Sequence, residues 1–254
     1  MQDIWGVAIR VLLAFFLALG GGVISSLISV SHERLCRMIS LAAGTLLGVT
    51  VFSIIPESYE AMTAWQLLIA LASGYVVFFL ISRYVFHVCP ACAASHFDEA
   101  ATHRFSEIAA AMVVALGLHS TMDGLALALG REAEMAGSVD ASLLLAICIH
   151  KVPEGLALCA LLLAAGYSRI AAVGWVAAVE ATTLLGGAIG LWLVPKVPEI
   201  WLDFLLAHVG GGFIFLAVHA VFGELVKHGR RLVLTSFTAG MLLIVALIQF
   251  TIYD

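Results

Sequence analysis

Two short stretches place ionisable side chains inside long apolar runs: His119-Ser120-Thr121-Met122-Asp123-Gly124 and His150-Lys151-Val152-Pro153-Glu154-Gly155. Each sets an imidazole and a carboxylate four residues apart, so on a helix both groups share one face, about 6 Å apart along the axis. Imidazole nitrogens combined with carboxylate oxygens form a ligand set for a divalent cation of the zinc type. Ionisable groups at membrane depth cost at least a few kcal/mol each and mark sites or ion pathways. Pro153 has no N–H and clashes with the preceding turn, which frees the carbonyl of Ile149 and predicts a bend between His150 and Glu154.

The elements that must position these residues follow from composition. The chain has 254 residues, 63% hydrophobic and 11% charged. A soluble domain of that length carries about 25% charge, and its surface-to-volume ratio gives it no way to hide so much apolar side chain. The chain is therefore an all-α polytopic membrane protein. Apolar runs fall at 5–30, 38–56, 65–86, 107–130, 141–166, 169–194, 201–223 and 232–252, each near the ~20 residues that cross a bilayer. Eight transmembrane helices are expected, in one domain spanning 1–254 with a polar loop at about 87–106. A net charge of −5 without a basic patch excludes nucleic acid as a partner; the lipid bilayer is the surrounding partner. Five cysteines, three of them in or beside spans, argue against a disulfide framework. No cleavable signal peptide is evident, since the first apolar run is too long and begins beside Asp3.

Positive residues orient the spans. Arg34, Arg37, Arg83, Arg104, Arg169, Lys227, Arg230 and Arg231 fall at the odd-numbered loops, against Arg131 and Lys196 at the even ones. The odd loops are expected in the cytoplasm and both termini outside, in a cell (inner) membrane. With spans 4, 5 and 6 entering near Glu107, Ala141 and Ala171, His119 lies roughly 18 Å deep and His150 and Glu180 roughly 14 Å deep. Three helices thus deliver polar groups to the midplane. Asp123, Glu154 and Glu180 against Lys151 leave a net charge of about −2, which suits one divalent cation with His119 and His150 as neutral nitrogen ligands. Lys151 follows His150 by one residue, points about 100° away and is expected toward Asp123. Metal binding to such ligands competes with protons and weakens as pH falls. Taken singly, each group has a plainer role open to it: His119 as a hydrogen bonder between helices, Lys151–Asp123 as a structural ion pair.

The loop offers His87, Cys89, Cys92 and His96 as a candidate soft-metal site, or a linker with two reduced thiols. Ala43-Gly44 through Pro56-Glu57 in span 2 matches Gly210-Gly211 through Gly223-Glu224 in span 7. Those spans run in opposite directions, so the match is either chance or an inverted repeat of spans 1–3 and 6–8 about spans 4 and 5, a 3+2+3 arrangement. Gly44, Gly48, Gly211 and Gly212 would let helices approach closely.

The paired stretches on spans 4 and 5 resemble the signatures of the ZIP (Zrt/Irt-like) divalent metal transporters, bacterial type. Eight spans, outside termini, a His-bearing third loop and Pro56-Glu57 at the end of span 2 fit the same family, so the resemblance covers essentially the whole chain. It implies transport of divalent metal, zinc most of all, toward the cytoplasm; Fe²⁺, Mn²⁺, Co²⁺ and Cd²⁺ accept the same ligands. It implies first-site ligands at His119, His150 and Glu154, bridging or second-site roles for Ser120, Asp123 and Glu180, a homodimer, and alternating access by movement of one bundle against another. No cofactor is implied beyond the transported ion, and no enzymatic activity. Two departures stand out: Ser120 occupies the place of an Asn in many members, and Lys151 the place of a second-site carboxylate in some. An ammonium repels a second cation, so one metal is expected. Ser53, where many members carry His, is a weaker ligand candidate. The alternative is an intramembrane metal-dependent hydrolase using the same ligands, with Ser120 or a metal-bound water as nucleophile.

Overall fold

The computed structural model describes residues 4–28, 32–81, 83, 102–132, 138–227 and 230–253. Among them every regular element is helical: α1 (Ile4–Leu27), α2 (His32–Val49), α3 (Ile55–Ala61), α4 (Ala64–Leu80), α5 (Thr102–Glu132), α6 (Ser138–Ala164), α7 (Arg169–Leu193), α8 (Glu199–Lys227) and α9 (Arg230–Tyr253), with a short 3₁₀ turn at Val194–Lys196. A π-helical segment, Thr50–Ile54, joins α2 to α3 without a break, so the two make one span. Among the described residues seven spans are long and apolar enough to cross a membrane, and α4 is a shorter apolar helix. The expected all-helical, eight-span architecture stands, with α5, α6 and α7 as spans 4, 5 and 6.

Local chemistry sets the ends that matter for the site. Thr63 caps α4 in a reciprocal capping box with Gln66. At the end of α6, Gly166 takes φ +89°; its N–H meets the Leu163 carbonyl and the Tyr167 N–H meets the Leu162 carbonyl, both at 3.0 Å. This glycine-terminated turn satisfies the last carbonyls of α6 and leads straight to Ser168, whose hydroxyl accepts from the Ala171 N–H at 3.3 Å to start α7. The tight turn lays α7 against α5 and α6. Helix α6 itself is continuous through Pro153. The irregular backbone lies instead in the span packed beside it, at Thr50–Ile54.

The packing repeats itself. Helix α1 lies on α6 as α7 lies on α5, and the α2 span lies on α9 as α8 lies on α4; α1 with α7, α5 with α6, and α2 with α8 close the pattern on themselves. Glycines at the crossings correspond residue for residue. A Cβ on Gly21 would strike the carbonyl of Val152, and one on Gly186 that of Thr121; Gly155 faces the Ala18 carbonyl, and Gly124 that of Thr183. Gly44 faces Phe237 as Gly211 faces Leu71, and Gly240 faces Leu41 as Gly74 faces His208. Every pair is carried onto its counterpart by exchanging spans 1–3 with 6–8 and α5 with α6. The inverted repeat hinted at by Gly44 and Gly211 is therefore real. Small residues, rather than a hydrophobic drive absent from lipid, bring these helices together.

Candidate metal centre

The same exchange that relates the helices relates the two polar stretches. Each α5 residue corresponds to the α6 residue 31 positions later, as Ser120 does to Lys151. His119 thus pairs with His150, Asp123 with Glu154, and Gly124 with Gly155. The signal was legible in the sequence as Gly124-Leu-Ala-Leu against Gly155-Leu-Ala-Leu, and the sequence analysis did not use it.

One ligand atom from each of His119, Asp123, His150 and Glu154 lies within 4.8 Å of all the others. Asp123 Oδ2 is 3.1 Å from His150 Nε2 and 3.5 Å from His119 Nε2. The two imidazole rings stand 5.3 Å apart between centroids. His150 Nδ1 lies 2.9 Å from the Ala146 carbonyl, one turn back along α6. A carbonyl can only accept, so Nδ1 carries a proton and Nε2 is the nitrogen turned to the cluster. Without a metal, a proton on Nε2 donates to Asp123 Oδ2 at 3.1 Å; a metal ion there would take that proton's place. His119 Nδ1 and Asp123 Oδ1 are buried without a hydrogen-bond partner among the described residues. The four groups therefore form a desolvated seat with spare electron pairs.

Beside the seat lies the ammonium of Lys151, fully buried. Its Nζ donates to Ser120 Oγ at 2.7 Å, Glu154 Oε2 at 2.9 Å and Glu180 Oε2 at 2.9 Å. Asp123 Oδ2 is a fourth neighbour at 2.9 Å, as an ion pair. An ammonium has three protons for these four oxygens, so Asp123 Oδ2, which also faces both histidines, shares the lysine with Ser120, Glu154 and Glu180. The expected approach of Lys151 to Asp123 is present, but its reach is wider than a one-residue rotation from His150 suggested, because the long side chain spans from α6 to both α5 and α7. Ser120 also donates toward Glu154 Oε1 and Glu180 Oε2, at 3.3 Å each.

The remaining sequence candidates fall in different places. Glu180 is fully buried on α7, and its Oε2 belongs to the lysine's set; its Oε1 has no hydrogen-bond partner among the described residues. Ser53 is buried in the π segment, with its Oγ 2.8 Å from Ser142 Oγ on α6. His87, Cys89, Cys92 and His96 lie outside the described residues. Elsewhere, His208 Nδ1 is 2.8 Å from Ser73 Oγ, and the His219 ring lies 3.9 Å from that of Phe215. Sequence reasoning missed Ser142, a small polar residue near a span end with no spacing signal, and the Ala146 carbonyl, which no sequence shows.

Residues 91–233 match the family model described as ZIP Zinc transporter. That stretch holds both paired motifs and Glu180. No curated protein sequence matches the chain.

Proposed function

The chain belongs to the ZIP zinc transporter family, a family of divalent metal transporters, and from that premise we propose that it carries Zn²⁺ toward the cytoplasm, one ion at a time, through the seat of His119, Asp123, His150 and Glu154. The observation that carries the proposal is the gathering of those four ligand atoms within 4.8 Å beside an ammonium that is already bound. Two nitrogens and two carboxylate oxygens make a tetrahedral set suited to Zn²⁺. Charge supports the count: Asp123, Glu154 and Glu180 with Lys151 and one divalent ion sum to zero, whereas a second ion would sit against the ammonium. Lys151 and Glu180 thus serve as a resident ion pair where a second metal would otherwise bind, and Ser120 holds the lysine rather than a metal.

Direction is supported by the distribution of Lys and Arg, which puts the 87–106 loop in the cytoplasm and the start of α1 outside. A homodimer in the inner membrane remains the assembly we infer from the family. The hydrolase alternative with Ser120 as nucleophile finds no supporting geometry. Ser120 is fully buried and its hydroxyl is bonded on both sides, which leaves a nucleophile no face toward a substrate.

Zinc uptake into proteoliposomes, read with an entrapped indicator, tests the proposal. His150→Ala and Glu154→Ala should each reduce it to the protein-free background. Unchanged uptake in both variants would refute the seat.

A further inference from the structure

The inverted repeat lets the two sides of the seat be compared. The α2 span packs along α6, whereas its counterpart, α8 against α5, is sparse. Toward the face where α1 begins, one hydrogen bond joins the α2 span to α6. Ser53 Oγ, in the π segment, and Ser142 Oγ, on α6, are 2.8 Å apart, and both side chains are buried. The repeat carries Ser142 onto Ala111, a residue type without a side-chain polar atom, so this bond has no counterpart on the other side. Ser142 is eight residues before His150, so the bond crosses between spans about 12 Å along α6 from the seat, toward that face.

Transporters built from inverted repeats expose a central site alternately by moving one bundle against the other. A contact between bundles present on one side and absent on the other biases that equilibrium. We propose that the Ser53–Ser142 hydrogen bond is a latch that keeps the face where α1 begins closed, and that it breaks once in every transport cycle. The π segment suits the role: π turns inside α-helices cluster at functional positions. Here the Ile55 N–H reaches the Thr50 carbonyl and Thr50 Oγ1 donates to the Leu46 carbonyl at 2.8 Å, so the segment's own polar groups stay satisfied while Ser53 is left to bridge. Ser142 lies eight residues before His150 on α6, so the latch acts on access and not on affinity. The inference rests on the transport function proposed above.

The test uses the full chain with Ser53→Cys and Ser142→Cys together, each single variant serving as control. Oxidation should form a disulfide identified by mass spectrometry, stop zinc uptake into proteoliposomes, and leave zinc binding in detergent at the wild-type stoichiometry; reductant should restore uptake. Wild-type uptake by the cross-linked protein would overturn the latch, and so would failure of the two thiols to join. If neither the wild type nor the reduced variant moves zinc, it is the transport function that fails. As a second measurement, Ser53→Ala and Ser142→Ala should raise deuterium exchange over Thr50–Ile54 and the first turns of α6 by roughly 2- to 10-fold, the loss of one net hydrogen bond. Exchange unchanged in both variants would overturn the bias.

Discussion

The proposed metal seat and the lysine chamber beside it share two helices and two carboxylates, yet they are built on opposite principles. The seat obeys the molecule's internal symmetry: His119 and His150 are counterparts, as are Asp123 and Glu154, so the gathered ligands straddle the axis that exchanges the two halves. The chamber violates it. Lys151 stands opposite Ser120, and the repeat that carries Ala18 onto Thr183 carries Phe15 onto Glu180. A symmetric seat presents equivalent ligands whichever bundle face is open. An asymmetric ion pair is fixed to one side of it and cannot be handed across. On the function proposed above, the difference separates a group that would bind cargo from one that stays with the protein.

The sharpest way to break this comparison is to remove its symmetric members one at a time. If the seat is used as a symmetric unit, His119→Ala and His150→Ala should abolish uptake alike, each weakening zinc binding beyond the 10- to 100-fold typical of losing a supporting group around a metal. Calorimetric titration of purified protein measures this, and a large loss in one variant beside a small loss in the other would show that the halves are unequal at the seat itself.

Lys151 should give the next largest effect, on stability instead of uptake alone. Lys151→Met leaves three buried carboxylates without their partner, a kind of change that costs about 3–5 kcal/mol. The protein should unfold at a visibly lower temperature in the absence of zinc. Lys151→Asp replaces the resident cation with a ligand, so zinc titration should saturate at two ions per chain in the midplane, where the wild type saturates at one. A wild-type stoichiometry of two in the midplane would remove the resident-ion argument altogether.

Much of this was readable before any coordinates. The His–carboxylate spacing placed each ligand pair on one helix face, and the depth estimate brought α5, α6 and α7 together at one level. What spacing cannot fix is how one helix is rotated and packed against another. Glu180 therefore read as a fifth ligand, while its Oε2 is held by Lys151. The π segment left no trace beyond nearby Pro56, because π turns arise from one inserted residue rather than from a residue preference. Ser53 looked like a poor ligand in the path; its partner Ser142 lies 89 positions away, with no periodicity to join them. Pro153 was expected to bend α6 between His150 and Glu154; the helix is continuous through it, and neighbouring helices can satisfy a carbonyl that proline frees inside a membrane.

The smallest effect should come from Ser120, and it tests the division between seat and chamber most finely. Its hydroxyl accepts one of the three protons of Lys151 at 2.7 Å, and hydrogen bonds to charged groups are worth about 1.5–3 kcal/mol. Ser120→Ala should lower stability by roughly that amount, leave zinc stoichiometry at one, and change zinc affinity little, because no ligand is removed. Ser120→Asn restores an acceptor and should recover part of the stability. If Ser120 is instead a ligand, the alanine variant will lose affinity with its stability intact. Thermal unfolding and zinc titration of the same two variants separate these outcomes, because the lysine's loss of a partner appears in the first and a metal's loss of a ligand in the second.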